Sequence, residues 1–183
     1  MENINEELNK VIKNIADFPK KGVMFKDVMP LFLNPVLFKK TIQHLAEIVS
    51  SYSPTHIVGI ESRGFLFAVP LAYELGIKFV PARKKGKLPG EVVTQTYDLE
   101  YGTDTVEIQK DALVDQGHGH QKYFIFDDVL ATGGTALAVN DLLHKQNCQI
   151  VGNLFLIELE FLNGRDKLLK NFPNLEIKSF LKY

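Results

Sequence analysis

The sequence predicts an α/β protein whose mostly parallel, twisted sheet carries helices on both faces. Short apolar runs alternate with segments whose apolar residues recur at helical spacing, an order typical of parallel strands joined by crossover helices. The apolar run Phe124–Phe126 predicts the central strand. Asp127 and Asp128 follow it directly, and the small-residue segment 131–135 then begins an Ala/Leu-rich helix. Because ligands bind beyond the carboxyl ends of parallel strands, this junction is the first candidate site.

Two amphipathic helices are predicted before the first strand of this sheet. Apolar residues recur at helical spacing over 4–15, which predicts a first helix that segment 17–19 ends. Residues 23–31 are predicted to be irregular or extended. Asn34 and Pro35 begin the second helix, because Asn is a good cap and Pro is tolerated in the first turn.

The rest of the chain alternates predicted strands and helices, with an antiparallel hairpin before the central strand. Gly76 is expected to end one helix, and the turn at 102–104 joins the two hairpin strands. The predicted strands cover 56–60, 77–81, 92–101, 105–109, 124–126, 150–159 and 176–181, and the predicted helices cover 65–75, 135–146 and 164–170.

The composition excludes several classes of protein. The 183 residues fit a single domain, and 45% hydrophobic with 23% charged residues is ordinary for a soluble globular protein. A net charge of −1 gives no general attraction to nucleic acid or to an anionic membrane. The single Cys148 excludes an internal disulfide framework, and no signal peptide or membrane-spanning run is recognisable. We therefore expect a cytoplasmic protein without nucleic-acid or membrane partners.

The segment after the acidic pair has the chemistry of a phosphate-binding loop. Gly133 and Gly134 let backbone N–H groups converge on an anion, and the following helix N-terminus favours negative charge. The hydroxyls of Thr132 and Thr135 add donors, whereas the preceding carboxylates would accept hydrogen bonds from sugar hydroxyls. These groups together indicate a sugar phosphate. The Walker sequence GxxxxGK[ST] is absent, and an ordinary turn eased by glycines is the alternative interpretation.

The apolar strand, the acid pair and the loop together resemble the phosphoribosyl pyrophosphate (PRPP) motif of the type I phosphoribosyltransferases. Five further segments, from Ile15 to about Leu181, resemble the adenine phosphoribosyltransferases of that class in the same order along the chain. They are IADFPKKGVMFKDVMPL, GIESRGFLF, RKKGKLPG, YDLEYGTDTVEIQKDAL and LNGR.

The resemblance implies both a fold and a reaction. It implies the type I phosphoribosyltransferase fold in a single domain over 1–183, with an N-terminal base-binding hood at 1–34 and a flexible catalytic lid at 83–102. The implied reaction transfers phosphoribosyl from PRPP to N9 of adenine and releases AMP and pyrophosphate, a step of purine salvage. Mg²⁺ is the implied cofactor, bound mainly through substrate and not directly by protein ligands. A homodimer is implied as well.

The resemblance also assigns residues to the parts of PRPP. The implied 5′-phosphate ligands are Ala131, Thr132, Gly133, Gly134 and Thr135. The implied ribose ligands are Asp127 and Asp128. The implied pyrophosphate ligands are Ser62, Arg63, Arg83, Lys84, Lys87 and Tyr101. Arg63 suits this role because a guanidinium binds phosphates bidentately and stabilises charge that grows on a leaving group. A non-proline cis peptide bond is expected between Glu61 and Ser62.

The base pocket is expected at Met24, Phe25 and Lys26. The Phe25 ring is suited to stacking on a purine, and backbone groups beside it offer an N–H to N1 and a C=O to the 6-amino group. Because 6-oxopurines reverse this pattern, they would leave buried polar groups unpaired. Glu100 is the expected general acid/base near purine N7, and with Arg63 and Lys87 it forms the implied catalytic set.

Two alternatives stay open at this stage. A phosphoribosyltransferase for xanthine or hypoxanthine would share the central loop, so only the Phe25 region and the YDLEYG segment favour adenine. A PRPP-sensing regulatory protein would keep the fold without the reaction. Such a protein usually needs an added DNA- or RNA-binding surface, and it has less reason to retain the basic loop at 83–90.

Overall fold

The computed structural model describes residues 3–18, 20–98, 102–114 and 121–183. The chain divides into two compact units, residues 1–45 and residues 46–183. None of the described helices is long and apolar enough to cross a membrane.

The first unit contains a short helix and a two-stranded antiparallel sheet. Its elements are α1 (Ile4–Val11), β1 (Lys13–Ala16), β2 (Met24–Asp27), a 3₁₀ helix (Met29–Leu33) and the beginning of α2 (Pro35–Ser50). The predicted helix over 4–15 was wrong at its end. Ile12 and Ile15 continue the apolar period, but pairing of Ile15 with Phe25 on β2 holds this stretch extended. Tertiary pairing thus overrides the helical pattern.

The second unit is built on a seven-stranded sheet in the order β5-β6-β4-β3-β7-β8-β9. Its strands are β3 (His56–Ile60), β4 (Lys78–Lys84), β5 (Val92–Asp98), β6 (Thr103–Gln109), β7 (Lys122–Leu130), β8 (Gln149–Glu158) and β9 (Ile177–Lys182). Its α-helices are α3 (Phe65–Leu75), α4 (Gly134–Lys145) and α5 (Gly164–Asn171), and two 3₁₀ helices cover Lys110–Leu113 and Glu160–Leu162. The five strands β3, β4, β7, β8 and β9 pair in parallel, and the β5–β6 hairpin joins β4 antiparallel. The predicted mixed α/β architecture is confirmed.

Helices cover both faces of this sheet, as predicted. Side chains alternate across a strand, so neighbouring residues of β7 point to opposite faces. Phe126 contacts Phe67 of α3 with ring centroids 5.9 Å apart, whereas Ile125 belongs to the apolar cluster that α4 completes with Val139 and Leu142. The helices α3 and α4 therefore lie on opposite sides of the central strand.

Candidate active site

The expected functional residues of the second unit meet at the carboxyl edge of the sheet. Gly59 of β3 lies opposite Pro81 of β4 and Phe126 of β7 in one row across three parallel strands. The residues that follow this row on the three strands are therefore brought together. Parallel register alone places the acidic pair, the Glu61–Gly64 turn and the start of the basic loop side by side.

An ion pair joins the acidic pair to the turn after β3. The Nε of Arg63 lies 2.7 Å from Oδ2 of Asp128, and Oδ1 of Asp127 accepts a hydrogen bond from the Asp128 N–H at 2.9 Å. Burial raises the pKa of Asp127, and the charge of Asp128 raises it further. Burial also raises the pKa of Asp128, although the Arg63 charge opposes this rise. Gly64 is required here because a Cβ would come within 2.9 Å of Asp127 Oδ1.

A second carboxylate organises the basic loop. Glu61 accepts two hydrogen bonds from the Arg83 guanidinium, at 2.7 and 3.2 Å, and a third from the Lys84 backbone N–H at 2.9 Å. The hydrogen bonds from Arg83 lower the pKa of Glu61 despite its partial burial. Arg83 also donates to the Lys87 carbonyl at 2.9 Å, so it bridges the turn after β3 and the basic loop. The peptide bond between Glu61 and Ser62 is cis, as expected.

A cavity of about 300 Å³ lies at this edge. Its lining includes Glu61, Arg83, Lys84, Asp127 and Thr135, all from the region singled out by sequence. Two cations, two carboxylates and the helix-start hydroxyl thus face one volume, which suits a polyhydroxylated phosphate ester.

Tyr97 and Asp104 also line the cavity, and sequence reasoning gave neither a role. The Tyr97 hydroxyl lies 3.2 Å from Thr135 Oγ1 and donates to Asp104 Oδ2 at 3.3 Å. Asp104 in turn lies 3.4 Å from Lys84 Nζ. Both residues lie in the YDLEYGTDTVEIQKDAL segment, and alternation along β5 puts Tyr97 on the side that faces α4. Burial raises the pKa of Tyr97, so its hydroxyl stays protonated at neutral pH.

The loop between β7 and α4 is shaped by close backbone contact with the start of α5. Gly133 has φ +75° at the N-cap of α4, and a Cβ there would lie 2.7 Å from the Gly164 carbonyl oxygen. A Cβ on Gly164 would in turn lie 3.0 Å from the Gly133 nitrogen. Neither position has room for a side chain. The LNGR segment is therefore a supporting wall of the loop.

A partly buried ion pair fixes that wall to the sheet. Arg165 donates to both oxygens of Glu158, at 2.8 and 2.6 Å, and to the Ile177 carbonyl at 2.9 Å. Ser179 donates to the same carboxylate at 2.5 Å. Burial acts to raise the pKa of Glu158, but the hydrogen bonds from Arg165 and Ser179 outweigh it and lower the pKa. The start of α5 is thus tied to the end of β8 and to the first half of β9.

The expected base-pocket residues Met24, Phe25 and Lys26 form most of β2 in the first unit. Phe25 contacts Phe18 edge-to-face, with ring centroids 5.0 Å apart. Among the described strands, β2 pairs only with β1. Alternate backbone N–H and C=O groups of β2 therefore point away from β1 and form no hydrogen bond with it. Burial lowers the pKa of Lys26. Glu100 and Tyr101 lie outside the described residues, and their expected roles stay predictions.

Comparisons with known proteins agree with this geometry. The model of the phosphoribosyl transferase domain family matches residues 32–178. The chain is 47% identical, over 97% of its length and 99% of the relative, to an adenine phosphoribosyltransferase of Gloeothece citriformis. Its structure is similar to the crystal structure of adenine phosphoribosyltransferase from Thermoanaerobacter pseudethanolicus, with a TM-score of 0.89, 42% identity and 99% and 100% of the two chains covered. It is also similar to the Saccharomyces cerevisiae enzyme complexed with D-2,5-dideoxy-2,5-imino-altritol 1,6-bisphosphate and adenine, with a TM-score of 0.87, 41% identity and 97% and 98% covered.

The glycine contact gives a matched pair of stability variants. We expect Gly133→Ala to lower the free energy of unfolding by about 2 kcal/mol or more, because it adds left-handed strain to a clash with Gly164. Gly134→Ala is the control, since the nearest atom to its Cβ would be 3.8 Å away. Thermal unfolding measures both. Equal melting temperatures for the two variants would contradict the close contact.

Proposed function

The chain belongs to the adenine phosphoribosyltransferase family, and from that premise we propose how its residues transfer phosphoribosyl from PRPP to N9 of adenine. The products are AMP and pyrophosphate, so the enzyme is a pentosyltransferase that serves purine salvage. The observation that carries this conclusion is the meeting of the acid pair, the glycine loop and Arg63 at one sheet edge. In addition, the chain as a whole is 47% identical, over 97% of its length, to an adenine phosphoribosyltransferase.

The phosphoribosyl group is held by the β7–α4 junction in this proposal. Backbone N–H groups and hydroxyls of the loop 131–135 bind the 5′-phosphate at the N-terminus of α4. Asp127 and Asp128 accept hydrogen bonds from the ribose hydroxyls. The ion pair with Arg63 keeps the Asp128 side chain oriented before substrate arrives. Binding energy from the remote phosphate orients the anomeric carbon for attack.

The leaving pyrophosphate is bound by groups on the β3 and β4 turns. We assign it to Ser62, Arg63, Arg83, Lys84 and Lys87, with Tyr101 as the remaining ligand. The guanidinium of Arg83 is held by Glu61, so pyrophosphate binding exchanges one anionic partner for another. Arg63 and Lys87 stabilise the negative charge that develops as the bond to the anomeric carbon breaks.

A magnesium ion fits this site mainly through substrate oxygens. Mg²⁺ prefers substrate phosphates with one or two carboxylates, and Asp127 is a partly exposed carboxylate on the cavity wall. When bound, the ion would neutralise charge on the pyrophosphate. In this proposal the chain's own cations neutralise charge on the same pyrophosphate from the protein side.

Adenine is recognised by β2 in this proposal. The Phe25 ring stacks on the base, and the outward backbone groups beside Met24 and Lys26 contact N1 and the 6-amino group. The N-terminal segment 1–34 then acts as the base-binding hood and residues 83–102 as the catalytic lid of a single functional domain over 1–183. The composition and the single Cys148 support a cytoplasmic location, which cell fractionation would test.

A homodimer is supported by an apolar stripe on α3. Leu66, Val69 and Tyr73 recur at three- and four-residue spacing and share one helix face, and Tyr73 is 87% exposed. This helix begins directly after the turn that carries Arg63. A second copy of the chain is the proposed partner, because burial of such a stripe is favourable.

Glu100 provides the first functional test. We expect Glu100→Gln to lower kcat by about 10²- to 10⁴-fold, because the amide cannot exchange a proton with purine N7. Glu160→Gln is the control, since Glu160 forms only a surface pair with Lys182 in the described part of the chain. Pre-steady-state kinetics measure the chemical step, and an unchanged rate for Glu100→Gln would contradict the assignment.

Base selection provides the second test. With PRPP and Mg²⁺, we expect nucleotide from adenine but not from hypoxanthine, guanine or xanthine, with discrimination on the order of 10⁴. Product from a 6-oxopurine would overturn the base assignment and leave the PRPP site intact. PRPP binding without product from any base would instead indicate a regulatory protein.

The proposed dimer is tested by introducing carboxylates into the apolar stripe of α3. We expect the double variant Val69→Glu/Tyr73→Glu to be monomeric in sedimentation velocity, because two carboxylates cannot be buried unpaired. Phe161→Lys alters another exposed aromatic residue, outside α3, and should keep the dimer. A monomeric unsubstituted protein would refute the proposed assembly.

A further inference from the structure

The first turn of α5 lies against the glycine loop at residues 131–135. The Nζ of Lys167 lies 3.8 Å from the position that a Cβ of Gly134 would occupy. Tyr97 Cδ2 lies at the same distance from that position and the Asp98 carbonyl oxygen lies 3.9 Å from it, so the ammonium and the end of β5 both lie beside the loop backbone. Lys167 is exposed and therefore accessible to a ligand bound there.

The distribution of charge around the cavity leaves the loop without its own cation. Residues 131–135 carry no basic side chain. Three basic residues of the cavity edge are already engaged with carboxylates: Arg63 with Asp128, Arg83 with Glu61, and Lys84 with Asp104. Among the residues that the structure describes, no carboxylate forms an ion pair with Lys167. Its charge is available where a phosphate dianion would otherwise meet only neutral donors.

We propose that Lys167, which α5 holds beside the loop, is the cationic ligand of the 5′-phosphate. The inference rests on the proposed assignment of loop 131–135 to that phosphate. A lysine suits the task because its flexible four-carbon stem lets a compact charge follow the phosphate oxygens. Charge-assisted hydrogen bonds of this kind are about twice as strong as neutral ones.

The neighbouring residues explain why this lysine is held close to the loop. Arg165 is bound by Glu158 and by the Ile177 carbonyl, which fixes the first turn of α5 to the sheet. Gly164 then contacts Gly133 without an intervening side chain. Lys167 lies in the same first turn, so the contacts of Gly164 and Arg165 set its position relative to the loop.

The test compares ligands that differ only in the phosphate. We expect Lys167→Met to weaken AMP binding about five- to tenfold and to leave adenosine binding unchanged, as measured by equilibrium binding. The KM for PRPP should rise by a similar factor, while kcat and the KM for adenine stay the same. Lys167→Arg should restore most of the AMP affinity because it keeps the charge. Binding of inorganic pyrophosphate should not change.

Two further variants separate this inference from the proposed function. Lys170→Met removes an exposed charge from the same helix one turn further on, and we expect it to behave like the unsubstituted protein. Thr135→Val removes a loop hydroxyl and should weaken AMP but not adenosine. If Thr135→Val has this effect and Lys167→Met has none, the role of Lys167 is refuted. If neither variant affects AMP, the loop is not the 5′-phosphate site, and the inference fails with it. A loss of pyrophosphate binding in Lys167→Met would also refute it.

Discussion

The position of the site depends on strand β7, which is hydrogen-bonded to β3 on one side and to β8 on the other. Its residues 123–126 are fully buried, so a one-residue slip would exchange the two faces of the core. The strand therefore delivers Asp127 and Asp128 to one fixed point. Every other part of the site is placed with reference to that point: Arg63 by its ion pair and the glycine loop by direct continuation of the chain.

The charges of the site are arranged in pairs before any substrate is present. Arg63, Arg83 and Lys84 each face a carboxylate, and the pKa of Glu61 is lowered by its contact with Arg83. In the proposed site, an entering phosphate would replace one anionic partner of these cations by another, which would avoid the cost of ordering a solvated cation. Such preorganised charge is most effective for a reaction that releases a highly charged leaving group.

The spacing of apolar residues and the turn residues were enough to predict most elements of the second unit and the residues at the β7–α4 junction. The prediction failed where pairing with a distant strand sets the backbone conformation. Residues 13–16 continue the apolar period of α1, yet pairing with β2 makes them a strand. Tyr97 and Asp104 lie in the YDLEYGTDTVEIQKDAL segment but received no role, because only the register of the β5–β6 hairpin places Tyr97 opposite Asp104. Gly164 is essential because Gly133 lies against it, 31 positions earlier in the sequence.

The two ends of the site are connected by contacts that no sequence pattern indicated. Lys84 contacts Asp104, Asp104 accepts from the Tyr97 hydroxyl, and that hydroxyl contacts Thr135 at the start of α4. Burial acts to raise the pKa of Asp104, but the Thr105 N–H and the Lys84 charge outweigh it and lower the pKa, so the carboxylate stays ionised. Because each contact orients the next, the basic loop and the glycine loop share one hydrogen-bonded chain. In the proposed assignment, a single ligand with a phosphate group at each end, as PRPP has, would contact both of these connected loops at once, which one binding event achieves more readily than two separate anions.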